Sequence, residues 1–271
     1  MSEIESEAKG EAPLLGYYNI RGNAQPIRLL LAYTKTVYRE RQYNFGRTDE
    51  ERAEWLKEKF HLGLDFPNLP YWQEGDLKLT QSLTILRHLA AKNGLAGNGS
   101  EEEAIRIDLA EQVLREYRNK FIDATLSTSF EKARLAYLAQ LPDMLRSLST
   151  YLGARPYFAG NSITYVDFMA YEFIDQHFYL YAELFAKLSN LKAFLRRVEA
   201  LPTIHEFQYS PKYIRWPSGL LIPWYQAKYY TTFHRSDSSD RVHELVTSMA
   251  KCQKIVEGVP PMGSETVTTS G

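Results

Sequence analysis

The first third of the chain alternates between two kinds of hydrophobic spacing. From Leu14 to Asn93, short β-branched or alternating runs are separated by runs in which apolar residues recur with helical spacing. We predict strands at 14–18, 38–45, around Tyr71 and at 77–80, and helices at 24–33, 49–60 and 82–92. Gly75 and Asp76 supply the hairpin turn between the last two strands. The resulting order, β-α-β-α-β-β-α over residues 14–93, is typical of a thioredoxin-like domain.

Beyond this region the apolar residues follow helical spacing only. Residues 94–100 are rich in glycine and asparagine and predict a linker, and residues 101–230 predict an all-helical second domain. Within that domain, Thr164 and Asp167 have the spacing of a capping box and precede an apolar face, so we expect a central helix there. The predicted fold class is therefore α/β plus all-α.

Both ends of the chain are polar. Residues 1–13 carry four glutamates and no apolar run, which is unlike a signal peptide and predicts a flexible acidic segment. The tail at 231–271 is rich in Ser, Asp, Thr and Gly and is also expected to be flexible, with one short amphipathic segment at 241–256. No apolar stretch approaches the roughly 20 residues that span a bilayer. We therefore expect a cytoplasmic protein without membrane insertion.

The composition excludes several classes of function. The chain has 271 residues, of which 44% are hydrophobic, enough for two modest cores in a soluble protein. Lys and Arg total 32 against 33 Asp and Glu, and the net charge of −1 offers no overall field for nucleic acid. Cys252 is the only cysteine, which excludes an intrachain disulfide and cysteine-pair redox or zinc chemistry.

The common catalytic signatures are missing from the sequence. It has no Walker loop, no Gly-x-Gly-x-x-Gly, no His-Glu-x-x-His and no nucleophile elbow. The six histidines have no ligand spacing: His61, His88, His177, His205, His234 and His243. We therefore expect neither a metal site nor a cofactor.

Five short strings together identify a family. They are 15–22 (Leu-Gly-Tyr-Tyr-Asn-Ile-Arg-Gly), 55–60 (Trp-Leu-Lys-Glu-Lys-Phe), 62–71 (Leu-Gly-Leu-Asp-Phe-Pro-Asn-Leu-Pro-Tyr), 79–82 (Leu-Thr-Gln-Ser) and 158–168 (Phe-Ala-Gly-Asn-Ser-Ile-Thr-Tyr-Val-Asp-Phe). In this order the strings resemble glutathione transferases of the mu class, and the match extends over about residues 14–230. The resemblance implies a thioredoxin-like domain followed by a helical one, and an enzyme that joins reduced glutathione, as a co-substrate, to hydrophobic electrophiles in detoxification.

The resemblance also implies a catalytic tyrosine. Tyr17 matches the residue whose hydroxyl donates a hydrogen bond to the glutathione sulfur in the family. Such a donor stabilises a thiolate, and a phenol with a pKa of about 10 keeps its own proton at neutral pH. Tyr18 stands where the mu class usually has tryptophan, and as an aromatic residue it can still line the sulfur site.

The remaining glutathione contacts follow from the same match. Leu69 and Pro70 correspond to a cis-proline pair whose backbone pairs with the cysteinyl part of glutathione, and Gln81 and Ser82 begin a helix that suits the γ-glutamyl carboxylate. From residue type alone, Ser82 is equally suited to be the N-cap of that helix. The implied glutathione-binding residues are Tyr17, Tyr18, Asn23, Arg52, Trp55, Lys59, Asn68, Leu69, Pro70, Gln81, Ser82 and, from the partner subunit, Glu116.

The electrophile site and the dimer interface have fewer matching residues. The implied electrophile-lining residues are Asn23, Phe121, Leu126 and Trp216, with Leu126 where mu enzymes often carry a second catalytic tyrosine. Phe66 matches an aromatic side chain that inserts into the neighbouring subunit, so we expect a homodimer. The loop 46–52 is shorter than the usual mu loop.

Two other functions stay open at this stage. The same fold can serve as a non-catalytic carrier of apolar ligands, and the residues at positions 18 and 126 are compatible with that role. A glutathione-dependent isomerase would use the same thiolate and differ only in the electrophile pocket. Tyr17, Gln81 and Ser82 favour a catalytic protein over a carrier.

Overall fold

The computed structural model describes residues 11–46 and 48–214. The predictions for residues 1–10, for Trp216, for the end of the helical domain at 230 and for the tail at 231–271 lie outside the described residues. Of the helices that the structure describes, none combines the length and apolar character needed to cross a membrane.

The first part of the chain has the predicted element order. Its elements are β1 (Leu14–Tyr18), α1 (Gln25–Tyr33), β2 (Arg39–Tyr43), α2 (Ala53–Glu58), β3 (Tyr71–Glu74), β4 (Leu77–Thr80) and α3 (Ser82–Lys92), with a short 3-10 turn, Gly22–Ala24, before α1. The predictions for β1, β4 and α3 are confirmed residue for residue. Pro26 lies in the first turn of α1, where a missing N–H costs no helical hydrogen bond.

The helix predicted at 49–60 is shorter than expected. It begins at Ala53, after a turn in which the Ala53 N–H donates to the Glu50 carbonyl over 3.3 Å. The Thr48 N–H donates to the Glu51 carboxylate over 3.0 Å, and the Glu51 N–H donates to the Thr48 hydroxyl over 3.3 Å. This reciprocal pair is a capping box, so the chain enters α2 through a capped turn at residues 48–52.

The four strands form one mixed sheet in the order β2-β1-β3-β4. β1 runs parallel to β2 and antiparallel to β3, and β3 and β4 form the predicted hairpin. The centre of the sheet is tightly packed, because a Cβ atom at Gly16 of β1 would overlap the ring of Tyr71 on β3. β1, which carries Tyr17, therefore lies at the packed centre of the sheet, between β2 and β3.

The second part of the described chain is helical, as predicted. It consists of α4 (Glu101–Leu126), α5 (Phe130–Leu152), α6 (Tyr165–Leu180), α7 (Ser189–Glu199) and α8 (Pro202–Tyr209), with a 3-10 turn, Ala182–Phe185, after α6. The capping box of Thr164 and Asp167 is present, and most of α6 is buried, which confirms the predicted central helix. α1 of the first domain packs against α6 and α8 of the second.

Candidate active site

Tyr17 lies near the end of β1 and is almost completely buried, with 6% of its surface exposed. Its Oη accepts a hydrogen bond from the backbone N–H of Asn23 over 2.9 Å. Burial raises the pKa of Tyr17 above the usual value of 10.0, so the phenol is protonated at neutral pH. Within the part of the chain that the structure describes, no group accepts the Tyr17 proton, which leaves that proton to a ligand.

The turn after β1 is held in place by a buried arginine. Arg28 of α1 donates to the carbonyl of Ile20 over 2.7 Å and pairs with Glu40 of β2 over 2.6 Å. Its guanidinium carbon lies 5.9 Å from the centroid of the Tyr17 ring. The loop that carries the Asn23 N–H to Tyr17 is thus attached to both α1 and β2.

Tyr18 forms an aromatic wall beside this hydroxyl. Its ring makes edge contacts with Tyr17 at 5.7 Å and with Phe45 at 5.2 Å between centroids. Burial raises the pKa of Tyr18, and the nearby Arg52 guanidinium partly offsets that rise. The structure therefore brings Tyr17, Tyr18 and Arg52 into one neighbourhood.

Of the predicted glutathione-binding residues Arg52, Trp55 and Lys59, only Trp55 lies inside α2. It is buried and stacks on Tyr71, with ring centroids 6.4 Å apart and planes 22° apart. Arg52 precedes the helix and pairs with Asp49 over 2.8 Å, and Lys59 follows it with Nζ 5.1 Å from the centre of the Phe60 ring.

Lys59 has no carboxylate partner within residues 11–46 and 48–214. Its charge is therefore available to an anionic ligand beside Arg52.

Residues 68–70 form the segment predicted to pair with the ligand backbone. The Leu69–Pro70 peptide bond is cis, which confirms that expectation. Leu69 and Pro70 are buried, whereas Asn68 is exposed and its Oδ1 accepts the N–H of Leu69 over 2.9 Å. A ligand that used this N–H would replace the bond to Asn68.

The start of α3 carries backbone strain. Gln81 has φ of 70° and ψ of 114°, a region that non-glycine residues rarely adopt, and such strain concentrates at functional sites. The expectation that Gln81 and Ser82 begin a helix is confirmed, but the alternative N-cap role for Ser82 is wrong, because Gln81 is the N-cap. Gln81 makes no side-chain capping bond, so the first N–H groups of α3 are left for an anion.

A cavity of about 420 Å³ opens where the start of α3 faces α4 and α6. It contains three of the predicted residues, Asn23, Gln81 and Ser82. Arg118 of α4 also lines it, and its Nε donates to Oδ1 of Asn23 over 2.9 Å. Arg118 was not among the residues predicted from the sequence, because this contact joins residues 95 positions apart.

Other predicted residues lie away from this cavity. Phe121 is buried in the helical core, where it packs on Tyr137 and His177 at 5.4 and 4.7 Å between ring centroids. Leu126 ends α4 and is half exposed. Trp216 lies outside the described residues. Of the predicted electrophile-lining residues in the described part of the chain, only Asn23 therefore lines this cavity.

Two residues expected at a dimer interface are on the surface. Glu116 on α4 pairs with Lys120 over 2.7 Å, and 59% of its side chain is exposed. Phe66 is 74% exposed in its loop.

In the described part of the chain, no group of three or more His, Cys, Asp or Glu is arranged to hold a metal ion.

Comparison with known proteins places this geometry in context. A family model described as the glutathione S-transferase N-terminal domain matches residues 13–91, and one described as the C-terminal domain matches residues 115–211. The chain is 45% identical over 204 residues to glutathione S-transferase B of Cavia porcellus, covering 75% of this chain and 94% of that protein. It is 46% identical over 204 residues to glutathione S-transferase Mu 1 of Oryctolagus cuniculus, with coverages of 75% and 93%.

A solved structure has the same arrangement. The glutathione S-transferase Blo t 8 superposes with a TM-score of 0.68 at 33% identity, over 73% of this chain and 93% of that one.

Proposed function

The chain belongs to the glutathione S-transferase family, and from this membership we propose that Tyr17 holds bound glutathione as a thiolate for attack on a hydrophobic electrophile. Its relatives are mu-class enzymes, and the protein is a transferase that conjugates glutathione. The role of each residue is our inference from the geometry above.

One observation carries the assignment of Tyr17. The Tyr17 oxygen accepts a hydrogen bond from the Asn23 N–H over 2.9 Å, and burial raises the pKa of Tyr17. The phenol therefore keeps its proton and can donate it in one further hydrogen bond. A free thiol has a pKa of about 8.5 and is mostly neutral at pH 7. A hydrogen-bond donor aimed at the sulfur stabilises the thiolate, and each unit by which the thiol pKa falls corresponds to about 1.4 kcal/mol. Tyr17 therefore increases the amount of the attacking species.

The rest of glutathione is bound through its charges and its backbone. The γ-glutamyl carboxylate lies at the free N–H groups of α3, beside Gln81 and Ser82. The glycyl carboxylate lies between Arg52 and Lys59, next to Trp55. These groups fix the peptide so that its sulfur reaches Tyr17.

The cysteinyl part pairs with the backbone of Leu69 at the cis-Pro70 bend, next to Asn68. Tyr18 and Asn23 border the sulfur. Glu116 of the partner subunit completes the site in a homodimer that is locked by the exposed Phe66.

Reduced glutathione is a co-substrate in this scheme, and the reaction needs no cofactor. We place the enzyme in the cytoplasm, where glutathione is kept reduced, with detoxification as its role. A carrier would bind glutathione without promoting ionisation of the thiol, so the test must measure ionisation as well as binding.

The test compares Tyr17→Phe with Tyr151→Phe. The second change also removes a tyrosine hydroxyl, but that hydroxyl bonds the Arg106 carbonyl on α4, at 2.7 Å. The near-ultraviolet thiolate band of bound glutathione and the turnover of a chlorinated aromatic substrate are recorded for each protein. We expect Tyr17→Phe to lose the band at neutral pH and to lower turnover about a hundredfold, while glutathione still binds.

Tyr151→Phe should retain both signals. Equal turnover in Tyr17→Phe and the unchanged protein would refute the role of Tyr17. Binding of glutathione with no thiolate band and no turnover in the unchanged protein would instead identify a carrier.

A further inference from the structure

Two cations in the cavity beside the active site have no carboxylate partner. We propose that Arg118, assisted by Arg115 one helical turn earlier, selects electrophiles that carry a carboxylate. The inference rests on the proposed function, because it assumes that this cavity holds the electrophile next to the glutathione sulfur. It concerns the class of substrate and adds a residue that sequence analysis missed.

The charges that line the cavity do not balance. Glu111 pairs with Arg87 over 2.5 Å, and Glu172 pairs with Arg21, which also pairs with Asp175. Arg115 and Arg118 bond only amide oxygens, those of Gln112 and Asn23, and no carboxylate in residues 11–46 and 48–214 lies within salt-bridge distance of either. An amide oxygen satisfies a donor but does not cancel a charge. The α4 side of the cavity is therefore positive.

Arg118 is close to the reacting atoms. Its Nε bonds Oδ1 of Asn23 over 2.9 Å, and the N–H of the same Asn23 bonds Oη of Tyr17 over 2.9 Å. A single residue thus separates the guanidinium from the phenol that is proposed to face the sulfur.

The free edge of Arg118 suits a carboxylate. Only its Nε has a partner in the described chain, so both terminal nitrogens are available. The planar fork of a guanidinium matches the two oxygens of a carboxylate, and the Asn23 bond fixes its direction. The cavity of about 420 Å³ is large enough for a small aromatic acid.

Glutathione itself does not need these arginines in our scheme. Its γ-glutamyl carboxylate has the N–H groups of α3, and its glycyl carboxylate has Arg52 and Lys59. The positive side of the cavity is therefore left for the second substrate.

The experiment uses a chloronitrobenzoate and its methyl ester, which share one reactive carbon. In both reactions the sulfur forms a bond to the ring carbon, chloride leaves with the electron pair of the broken C–Cl bond, and the thiol proton passes to solvent. The quantity measured is the ratio of kcat/KM for the acid to that for the ester, together with KM for glutathione.

We compare the full-length protein with Arg118→Gln, Arg118→Lys and Arg146→Gln. Arg146 is 67% exposed on α5, so its replacement controls for the lost charge. We expect Arg118→Gln to lower the acid-to-ester ratio about tenfold, Arg118→Lys to restore part of it, and Arg146→Gln to leave it unchanged. An unchanged ratio in Arg118→Gln, or a rise in KM for glutathione that accounts for the whole effect, would overturn the proposal.

A binding measurement separates this inference from the proposed function. Two glutathione S-alkyl conjugates of equal length, one ending in a methyl group and one in a carboxylate, are titrated into the same proteins. Loss of the preference for the carboxylate in Arg118→Gln supports the inference, and equal weakening of both conjugates contradicts it. If the unchanged protein converts neither aromatic compound, the proposed function fails, while these titrations still decide the role of Arg118.

Discussion

Nη2 of Arg21 lies 2.7 Å from Oδ2 of Asp175, and neither side chain is more than 4% exposed. Arg21 follows β1, whereas Asp175 and its neighbour Glu172, which also pairs with Arg21, belong to α6. The ion cluster therefore joins the turn next to Tyr17 to the central helix of the second domain.

Replacing Arg21 should destabilise the protein strongly. Arg21→Met leaves two carboxylates buried without a cation, and breaking a buried pair in this way costs about 3–5 kcal/mol. Arg146→Met breaks an exposed pair with Asp143 and should cost no more than about 1 kcal/mol. Urea unfolding of both variants measures the difference in unfolding free energy. Similar decreases in the two variants would show that the buried cluster contributes no more stability than the exposed pair.

Gly22→Ala should disturb catalysis through sterics. Gly22 has φ of +44°, and a Cβ atom there would lie 2.5 Å from Oη of Tyr17. Gly75 has a similar φ of +57° with nothing within 4 Å of its Cβ position, so Gly75→Ala carries the backbone cost alone. Gly75→Ala should cost about 1 kcal/mol of stability, Gly22→Ala should cost more because of the overlap, and only Gly22→Ala should lower turnover by tenfold or more. Equal turnover in the two variants would contradict this.

Gln81→Gly should stabilise the fold and weaken the binding of glutathione. The backbone at Gln81 has φ of 70°, and glycine removes a strain of about 1–3 kcal/mol at a small entropic cost. We expect a gain of about 1 kcal/mol in thermal unfolding and weaker glutathione binding in titration calorimetry, because the amide is lost. Gln81→Ala keeps the strain and should weaken binding without stabilising. A stability gain in Gln81→Ala equal to that in Gln81→Gly would refute the strain.

His177 should make the fold sensitive to acid. Burial lowers the pKa of His177 from 6.5 to about 4, while its ring bonds Tyr137 and the Phe173 carbonyl, both over 2.6 Å. Between pH 6.5 and about 4, His177 binds a proton in the unfolded chain but not in the native protein, so stability falls as the pH falls. His177→Gln should flatten this part of the profile of unfolding free energy against pH. A profile as steep as that of the unchanged protein would contradict the assignment.

Asp167 should have the opposite effect on how stability depends on pH. Burial raises the pKa of Asp167 from 3.8 to about 6, so the native protein holds its proton more tightly than the unfolded chain does. The stability that this residue contributes is complete below pH 3.8 and declines as the pH rises to about 6.

The charge-free variant Asp167→Asn measures this decline. It loses an acceptor for the N–H of Thr164 and is destabilised at every pH. Its deficit relative to the unchanged protein should shrink by up to about 3 kcal/mol as the pH rises from 3.8 to about 6. A deficit that is constant over this interval would count against the raised pKa.

Local sequence signals predicted most of the fold. β1 and α3 were placed residue for residue, because each is bounded by strong signals, the glycine-containing turn after Tyr18 and the start at Gln81. The start of α2 was predicted at residue 49 and lies at Ala53, because the capping box of Thr48 and Glu51 starts a turn that becomes α-helical only there. Residue types indicate such a capping box but not the length of the turn that follows it.

The candidate site was predicted unevenly for a similar reason. Tyr17 lies near the end of β1, and Gln81 and Ser82 directly follow β4, so their place follows from the fold. Arg118 and Phe121 lie on α4, and which of them faces the cavity depends on how that helix packs against the turn that holds Asn23. Helical spacing alone assigns residues to faces but does not say which neighbour each face meets.

The strand order also affects how the protein behaves at high concentration. β2 and β4 are the outer strands, and β2 carries the consecutive charges of Arg39, Glu40 and Arg41 while β4 carries Lys78. Another chain that added a strand at either flank would have to dehydrate these charges. The sheet is therefore protected from fibril-like growth, even though its outer backbone groups are open.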